Sequence, residues 1–493
     1  MWLKPYWRVG VDVNIVEPLW TSAELGAVCG AIIARPWYAD GLQIDSREVL
    51  PGDLFIALEG QTADGHSYVQ DAFSRGAVAA IVSKPPEGID QSDQRLIHVA
   101  DTLAVLKLMA EHARYRAPLQ AIAVTGSAGK TSVVQALRQT LERISETHAS
   151  VKSFNNHIGV PLSVARLPRQ SRFGIFEVGM SASGEIKAGA SIVHPDVVIL
   201  TAVGSAHAEN FADEQAIAEE KASIFETLSP GSIAVIGMDH PYGEYLRKKA
   251  TSLDIMTITV SVVGNADVKP LRLTEHHDCT CLTADVFGTP VTYKVSQPGR
   301  EWVLNSLLIL AAVKAVGADL GQAALALATL EAEPGRGRSY KLNLGYGEAT
   351  LIDDSYNANL LSIRAALRRL SLVPVSASKK RIAVFADMAE LGTKSEDIHL
   401  SLVRDLKRFN VDRLIAFGDQ MAALGEIAGI PTDRWSFPGK CAVRLMAELK
   451  HGDAVMIKGA NSAGLAELVH EMLKISNDET APTPEQQCRM ACK

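Results

Sequence analysis

Short apolar runs, each followed by a polar or glycine-rich stretch, recur along most of the chain. Ala121 to Val124 is one such run, and the following "KTSVVQALRQTL" carries apolar residues at helical spacing, so a strand, a turn and a helix are predicted in that order. The same pattern predicts strands in "FGIFEVG", "DVVILTAVG" and "IAVIGMD", and later in "ATLIDD", "RIAVFAD", "RLIAFGD" and "AVMIKG". This alternation predicts an α/β fold with mostly parallel sheets and a ligand site at their carboxyl edge.

Two interruptions of the pattern predict the domain boundaries. The stretch "LQIDSREVLPGDLFIALEGQTADGHSYVQDAFSRGAVAAIV" alternates short strands with one amphipathic helix and predicts a compact first domain. The Gly/Pro/Arg-rich "EAEPGRGRSY" predicts a hinge, and the polar ending "SNDETAPTPEQQCRMACK" predicts a disordered tail. We therefore expect domains at 1–115, 116–333 and 334–475, followed by a tail at 476–493. A length of 493 residues agrees with about three domains.

The composition is that of an ordinary globular protein. Hydrophobic residues make up 47% of the chain, charged residues make up 21%, and the net charge is −7. A general nucleic-acid binder would carry a basic surplus instead, so no nucleic-acid partner is expected. No apolar run approaches the roughly 20 residues of a membrane helix, and the start, "MWLKPYWRVGVDVNIVEPLW", makes a poor signal peptide.

The cysteines indicate in which cellular compartment the protein is expected. The chain has 6 cysteines, with neither zinc-ligand spacing nor a convincing disulfide framework. Cys279 and Cys281 could bind a metal, but alternate positions on a strand are the commoner explanation. Reduced cysteines without an export signal favour a cytoplasmic protein that does not insert into a membrane.

The turn after the first central strand has the composition of a phosphate-binding loop. Small residues let backbone N–H groups close around phosphate oxygens at a helix N-terminus, Lys130 would offset the outer phosphates, and the Thr131 hydroxyl would ligate Mg²⁺. The loop is compressed, because the spacing G-x-x-x-x-G-K-[ST] would need glycine where this chain has Val124. A chance glycine-rich turn is the alternative, but the complete order of features favours a nucleotide site. The expected nucleotide contacts are Gly126, Ser127, Ala128, Gly129, Lys130, Thr131 and Ser132.

The compressed loop resembles the "TGTxGKT" loop of the Mur ligase family, and further motifs resemble its MurF-type members. In chain order they are "SFNNHIGVPLSVARLP", "FGIFEVGMSASGEI", "AHAENFADEQAIAEEKASIF", "LIDDSYNANLLSIRAAL", "VFADMAELG" and "VMIKGANSAGL". The resemblance covers roughly positions 19 to 475, and the ordered series is far more specific than the loop alone. It implies a three-domain α/β architecture, with a central P-loop ATPase domain built on a parallel sheet and a C-terminal Rossmann-like domain.

The resemblance also implies an activity. MurF-type ligases use ATP and Mg²⁺ to add D-alanyl-D-alanine to UDP-N-acetylmuramoyl-tripeptide through an acyl phosphate, in bacterial peptidoglycan synthesis. The first domain, with "DSREVLPGDLFIALEG", is similar to the one that holds the uridine diphosphate end of that substrate. A P-loop kinase would need neither this domain nor the third. We expect a cytoplasmic, monomeric enzyme.

Three isolated polar residues gain a role from the resemblance. Alone, Glu177 at a strand end and His207 in a loop would be unremarkable, but both positions match metal ligands of the family. Lys221 would by itself be predicted as a surface residue, yet it matches a lysine that Mur ligases carry as a carbamate. An ammonium group would be repelled by Mg²⁺, whereas a carbamate places a carboxylate on a long arm. The expected catalytic residues are Lys130, His207 and Lys221.

The remaining expected contacts come from the same motifs. Ser46 and Arg47 of "DSR" match the uridine diphosphate site, where Arg47 suits phosphate contact. Asn155 and Asn156 match contacts to the muramoyl-peptide, and Lys458 matches the site of the incoming dipeptide. The positions expected around the nucleotide are Asn305 near the adenine, Arg336 near the phosphates on closure, Asp354, Tyr356, Asn357 and Asn359.

Four places depart from the family pattern. "GMSASGEI" stands where "GMNHPGEI" is usual, Glu301 replaces His, Leu360 replaces Pro, and Ala386 replaces Gly. The first two lie close enough to the expected site to leave an alternative open, a MurF-like paralogue that joins a different carboxylate and amine. A scaffold that only binds nucleotide is a third hypothesis, which the intact loop and metal-type residues disfavour.

Overall fold

The computed structural model describes residues 17–33, 35–60, 63–151, 153–205 and 208–477, which form two compact units. The first unit comprises the described residues up to Pro118 together with Pro161–Gln170, and the second comprises those of Leu119–Val160 and from Ser171 onward. Of the tail predicted at 476–493, only the first two positions are described, and they still belong to a helix. Among the described residues, none of the helices is both long and apolar enough to span a lipid bilayer.

The first unit contains two small sheets and the helices that connect their strands. An antiparallel pair joins β1 (Trp20–Thr21) to β2 (Tyr38–Ala39). A parallel sheet has the order β3 (Gly41–Gln43), β4 (Asp53–Ile56), β5 (Ala79–Val82) and β6 (Leu96–His98). The helices are α1 (Ser22–Cys29), α2 (Val69–Ser74) and α3 (Thr102–Arg116). Every residue of β4 and β5 is buried, as expected of parallel strands that are covered on both faces.

The second unit begins with the sheet that carries the phosphate loop. Its strands are β7 (Gln120–Thr125), β8 (Thr147–Ala149), β9 (Phe173–Glu177), β10 (Val197–Leu200), β11 (Ile233–Gly237), β12 (Met256–Val260), β13 (Val268–Glu275), β14 (Thr280–Val286) and β15 (Thr289–Val295). Their order is β15-β14-β13-β12-β11-β10-β7-β9-β8. From β8 to β13 neighbouring strands run parallel, whereas β13, β14 and β15 pair antiparallel. The parallel part was predicted from the sequence, and the antiparallel edge was not.

Helices pack against this sheet and share its core with the strands. They are α4 (Lys130–Leu141), α6 (Glu185–Val193), α7 (Glu214–Ala222), α8 (Gly243–Thr251), α9 (Arg300–Ala315) and α10 (Leu320–Leu327). Helix α5 (Gly159–Ala165) begins in this unit, but most of its residues belong to the first unit. Apolar residues of α4, α9 and α10 pack against β7 and β10 in one buried cluster. Because α9 contributes an almost unbroken buried run from Leu307 to Val313, its N-terminal turn is held firmly at the carboxyl edge of the sheet.

A second sheet in this unit is formed by the C-terminal part of the chain. Its strands are β16 (Arg338–Asn343), β17 (Glu348–Asp354), β18 (Arg381–Ala386), β19 (Arg413–Phe417), β20 (Thr432–Arg434) and β21 (Ala454–Lys458), in the order β16-β17-β21-β18-β19-β20. All neighbours are parallel except β16 and β17. The helices are α11 (Leu360–Leu372), α12 (Ser395–Leu400), α13 (Val403–Arg408), α14 (Asp419–Ala428), α15 (Ala442–Glu448) and α16 (Leu465–Asn477).

The predicted strands of both sheets are confirmed, including "ATLIDD" as β17 and "AVMIKG" as β21. The stretch predicted as a hinge is shorter than expected, because β16 already begins at Arg338 inside it. The C-T-C motif also has a structural explanation, since buried Cys279 immediately precedes β14 and exposed Cys281 lies within it.

Candidate active site

A cavity of about 710 Å³ lies in the second unit, at the carboxyl ends of parallel strands from both of its sheets. Residues that follow β7, β9 and β10 line one side, and residues that follow β17 and β21 line the other. This position agrees with the rule that α/β sheets bind ligands beyond the carboxyl ends of their strands. The volume falls within the usual range for small-molecule sites.

The phosphate loop is held in place by the segment that follows β10. The Ser127 hydroxyl donates to the carbonyl of Gly204 at 2.9 Å and accepts from its N–H at 3.1 Å. The Thr201 hydroxyl donates to the carbonyl of Ala128 at 2.5 Å. Gly126 has φ +148°, and a Cβ there would collide with the Thr201 hydroxyl, so this position of the loop requires glycine. These contacts fix the shape of the loop.

Lys130 and Thr131 open helix α4 and face the cavity. The Lys130 ammonium donates to the carbonyl of Gly126 at 2.8 Å. Burial lowers the pKa of Lys130, and the positive charge of Arg336 lowers it further, against an opposing effect of Glu177. A half-buried cation beside a second cation is favourably placed to bind an anion such as a phosphate group.

Glu177 is the centre of a group of polar side chains beside the loop. β9 lies next to β7, with Glu177 opposite Val124, as the sequence predicted for a doubly wound sheet. The buried carboxylate accepts 2.7 Å hydrogen bonds from the Thr131 hydroxyl and the Asn155 amide. The carboxylate and hydroxyl oxygens form a hard donor set that fits Mg²⁺.

Lys221 is buried at the end of α7, with 2% of its surface exposed. Its ammonium nitrogen lies 3.7 Å from the sulfur of Met180. Burial holds the pKa of Lys221 well below its ordinary value, and repulsion by Lys130 acts in the same direction. The sequence pattern alone suggested a surface lysine, so the burial is a finding of the structure. His207 lies outside the described residues.

The neighbouring Glu220 binds the first residues of helix α6. Its carboxylate accepts from the N–H groups of Gly184 and Ile186 at 2.9 and 3.1 Å, and from the Ser183 hydroxyl at 3.3 Å. These donors belong to "GMSASGEI", one of the stretches that depart from the family pattern. Glu220 thereby fixes α7, which carries Lys221, against that stretch.

The second sheet contributes two groups of charged side chains to the cavity. The guanidinium of Arg336 donates to the Ser153 hydroxyl at 2.7 Å and lies 4.0 Å from the centre of the Tyr356 ring. Lys458 is buried, and its ammonium donates to the Asp354 carboxylate at 2.7 Å and to the carbonyl of Asn357 at 2.8 Å. Asp354 therefore offsets the charge of Lys458 in the structure described here.

Asparagines occupy three further parts of the site. Asn359 caps helix α11 and also donates its amide to the carbonyl of Ser127 at 3.0 Å. Asn156 lines the cavity, and its side-chain amide oxygen accepts from the backbone N–H of Gly159 at 2.8 Å. Asn305, in α9, lies where a Cβ on Gly129 would approach its amide oxygen. Ser132, Asn155 and Glu301 also line the cavity.

The first unit holds the two residues predicted for the uridine diphosphate end. Ser46 is buried at the start of a 3₁₀ turn. The guanidinium of Arg47 is 81% exposed and donates twice to the Asp45 carboxylate, at 2.9 and 2.7 Å. An exposed guanidinium that is already oriented is suited to a phosphate, although it would exchange part of its pairing with Asp45.

Sequence reasoning missed several side chains of this cavity. Ser153, Thr201 and Arg369 line it, and none of them was singled out. Ser153 is the first residue of the motif "SFNNHIGVPLSVARLP", two positions before Asn155, so a closer reading of that motif would have found it. Arg369 carried no such signal, because "RRL" in α11 has the pattern of an ordinary amphipathic helix.

A phosphate loop at the edge of one α/β sheet, facing charged residues that precede or end the strands of a second sheet, fits the ATP-dependent ligases of the Mur type. Family models for three Mur ligase domains match the chain in order: the "Mur ligase family, catalytic domain" at residues 39–114, the "Mur ligase middle domain" at 124–313 and the "Mur ligase, glutamate ligase domain" at 337–461.

Curated relatives indicate to which group of Mur ligases the chain belongs. The UDP-N-acetylmuramoyl-tripeptide–D-alanyl-D-alanine ligase of Escherichia coli is 30% identical over 449 residues, covering 88% of this chain and 93% of the relative. The protein of the same name from Rickettsia prowazekii is 31% identical, covering 78% of this chain and 84% of the relative. The chain belongs to the MurF family of Mur ligases.

Solved structures share the fold of this chain. A crystal structure of MurF from Acinetobacter baumannii superposes with a TM-score of 0.80 at 24% identity, covering 93% of this chain and 99% of that one. MurF from Thermotoga maritima in complex with ADP gives a TM-score of 0.72 at 26% identity, covering 88% and 97%. The expected three-domain Mur ligase architecture is confirmed.

Proposed function

We propose that the protein adds D-alanyl-D-alanine to UDP-N-acetylmuramoyl-tripeptide, with hydrolysis of ATP to ADP and phosphate. The observation that carries this proposal is the cavity in which Lys130 and Thr131 of the phosphate loop face Arg336 and Lys458 from the second sheet. A site with cations on both walls suits a triphosphate and the carboxylate that it activates. The proposal extends to this chain the activity for which its relatives are named.

The reaction follows from what these residues can hold. The γ-phosphoryl group passes from ATP to an oxygen of the terminal carboxylate, giving an acyl phosphate and ADP. The amine of the dipeptide then attacks the carbonyl carbon, loses a proton, and the C–O bond to phosphate breaks. Lys130 and Arg336 would offset charge on the transferred group, so the protein contributes mainly positioning and electrostatic stabilisation.

We also propose that Thr131 and Glu177 bind Mg²⁺, because two buried oxygen ligands already lie 2.7 Å apart beside the phosphate loop. The ion would supply charge stabilisation for the phosphates. His207 stays a predicted third ligand. Carbamylation of Lys221 is part of the proposal. A buried amine whose pKa is lowered is neutral more often, and only the neutral amine reacts with CO₂.

The remaining assignments are proposals on the same basis. Asn305, Asp354, Tyr356, Asn357 and Asn359 would surround the nucleotide, since all five line the cavity. Asn155, Asn156 and Lys458 would contact the peptide substrates, and Ser46 and Arg47 the uridine diphosphate end. A monomeric enzyme acting in the bacterial cytoplasm, where ATP is available, completes the proposal.

The alternative, a paralogue that joins another carboxylate and amine, is less well supported, because the relatives that match most of the chain carry one common name. A measurement of ADP release distinguishes the proposed function from this alternative. We expect release that requires both UDP-N-acetylmuramoyl-tripeptide and D-alanyl-D-alanine. An enzyme that ignores the UDP-linked tripeptide, yet consumes ATP with another acid and amine, would contradict the proposal.

A further inference from the structure

Ser153 joins two parts of the active site that are far apart in the sequence. It accepts a hydrogen bond from the guanidinium of Arg336 at 2.7 Å, across 183 positions of the chain. Its hydroxyl oxygen also lies 3.3 Å from the hydroxyl oxygen of Thr131, which opens the phosphate-loop helix. Ser153 therefore lies between the phosphate loop and the cation supplied by the second sheet.

The direction of these hydrogen bonds follows from counting protons. Thr131 has one hydroxyl proton, which it donates to Glu177 at 2.7 Å. The 3.3 Å contact can then be a hydrogen bond only if Ser153 donates to Thr131. Arg336, Ser153, Thr131 and Glu177 thus form a chain in which each member donates to the next, ending on a carboxylate. Such chains strengthen their individual bonds.

The backbone on either side of Arg336 is fixed independently. Asp353 accepts from the N–H of Gly335 through its carboxylate and from the N–H of Gly337 through its carbonyl, both at 2.7 Å. The turn therefore brings the side chain to the cavity, but it leaves the long Arg336 side chain free to rotate. The guanidinium carbon of Arg336 lies 4.0 Å from the centre of the Tyr356 ring, and this cation–π contact restricts the rotation. Ser153 fixes which edge of the guanidinium points toward the phosphate loop.

We infer that Ser153 is a positioning residue, which acts by holding the guanidinium of Arg336 over the phosphate loop so that its remaining N–H groups face the phosphates of ATP. The Ser153 bond uses one of the five donors of an arginine, so four remain for other partners. Orienting a planar fork before binding reduces the entropy lost when it pairs with phosphate. The inference rests on the proposed ATP site, and it does not depend on the identity of the acid or amine.

Calorimetric binding of a non-hydrolysable ATP analogue tests the inference without the peptide substrates. Ser153→Ala should weaken binding roughly tenfold, the effect of one hydrogen bond to a charged group. Ser153→Thr, which keeps the hydroxyl, should restore most of the affinity. Ser252→Ala is the matched control, because the hydroxyl of that exposed serine donates to the carbonyl of Lys249 at the end of its own helix. This substitution should leave the affinity unchanged.

A double-mutant cycle identifies the residue through which Ser153 acts. In an Arg336→Ala background, Ser153→Ala should cost almost nothing more, because the group that it positions is gone. Additive losses would show that Ser153 acts through Thr131 instead and would overturn the inference, as would wild-type affinity in Ser153→Ala. If the wild-type protein binds the nucleotide but does not ligate the UDP-linked tripeptide, the proposed function fails while this test remains decisive.

Discussion

We expect Glu301 to make the stability of the central domain depend on pH. It lies in the first turn of α9 and lines the cavity, where burial raises the pKa of its carboxyl group to about 7 from 4.5. Arg369 and Arg368 favour the charged form, but burial outweighs them, and Asp354 acts in the same direction as burial. We therefore consider Glu301→Gln, which keeps the shape of the side chain and removes its charge.

The sign and size of the effect on the free energy of unfolding follow from the difference between the pKa of Glu301 in the folded state and in the unfolded state. Because the pKa is higher in the folded state than in the unfolded state, the neutral carboxyl group does not lower the free energy of unfolding below pH 4.5. As the pH rises from 4.5 toward 7, the unfolded state loses its proton first and the free energy of unfolding falls. Above pH 7 the cost levels off at roughly 3 kcal/mol, from about 1.4 kcal/mol for each pKa unit between 4.5 and 7. Glutamine carries no such cost, so the free energy of unfolding of the variant should lie within about 1 kcal/mol of the wild type at pH 5 and exceed it by roughly 3 kcal/mol at pH 8.5.

Thermal unfolding of both proteins at pH 5 and pH 8.5 measures this difference. About 3 kcal/mol corresponds to a rise in Tm of roughly 6–12 °C at pH 8.5 for a domain of this size. Exposed Glu331 provides the control, and Glu331→Gln should leave the Tm close to that of the wild type. Equal Tm differences between wild type and Glu301→Gln at the two pH values would refute the reasoning, because they would show that Glu301 does not titrate as a buried group.

Lys130→Ala should abolish ADP release in a protein that stays folded by circular dichroism, because a cavity cation is lost without a core void; near-normal turnover would exclude this loop as the ATP site. Lys221→Ala should lose most ligase activity, with partial rescue by short carboxylic acids, and wild-type activity without rescue would defeat the carbamate proposal. Glu220→Ala should lower the free energy of unfolding by about 3 kcal/mol, measured in urea, because three donors lose a charged acceptor. Arg47→Ala should raise the KM for the UDP-linked tripeptide about tenfold to a hundredfold and leave that for ATP unchanged, and equal effects on both would contradict its assignment.

Local patterns predicted the parts of the fold that depend on neighbouring residues. The predicted strand Ala121 to Val124 is extended only by Gln120 and Thr125 in the structure, and the helix of the phosphate loop has the predicted ends. Glu177 lies beside the phosphate strand as expected, because a doubly wound sheet places those strand ends together.

Contacts between distant segments could not be predicted in this way. The bond between Arg336 and Ser153 depends on how the two sheets pack, which no local periodicity records. The burial of Lys221 is a similar case, since Glu219 and Glu220 before it are typical of a solvated helix face. The antiparallel strands β13 to β15 extend the sheet at an edge, where the βαβ alternation that predicted the other strands no longer applies.

Position 359 requires a side chain that both accepts and donates a hydrogen bond. Its amide oxygen accepts from the N–H of Ser362 to cap α11, while its amide nitrogen donates to the carbonyl of Ser127 in the phosphate loop. Aspartate, serine and threonine cap helices as well as asparagine, but aspartate has no proton to donate at neutral pH, and a hydroxyl is too short to reach both partners. Only a side chain with an acceptor and a donor at the two ends of one rigid planar group can serve both. Asn359→Asp would thus keep the helix capped and remove one of the hydrogen bonds that hold the loop, which would separate the two roles of this amide.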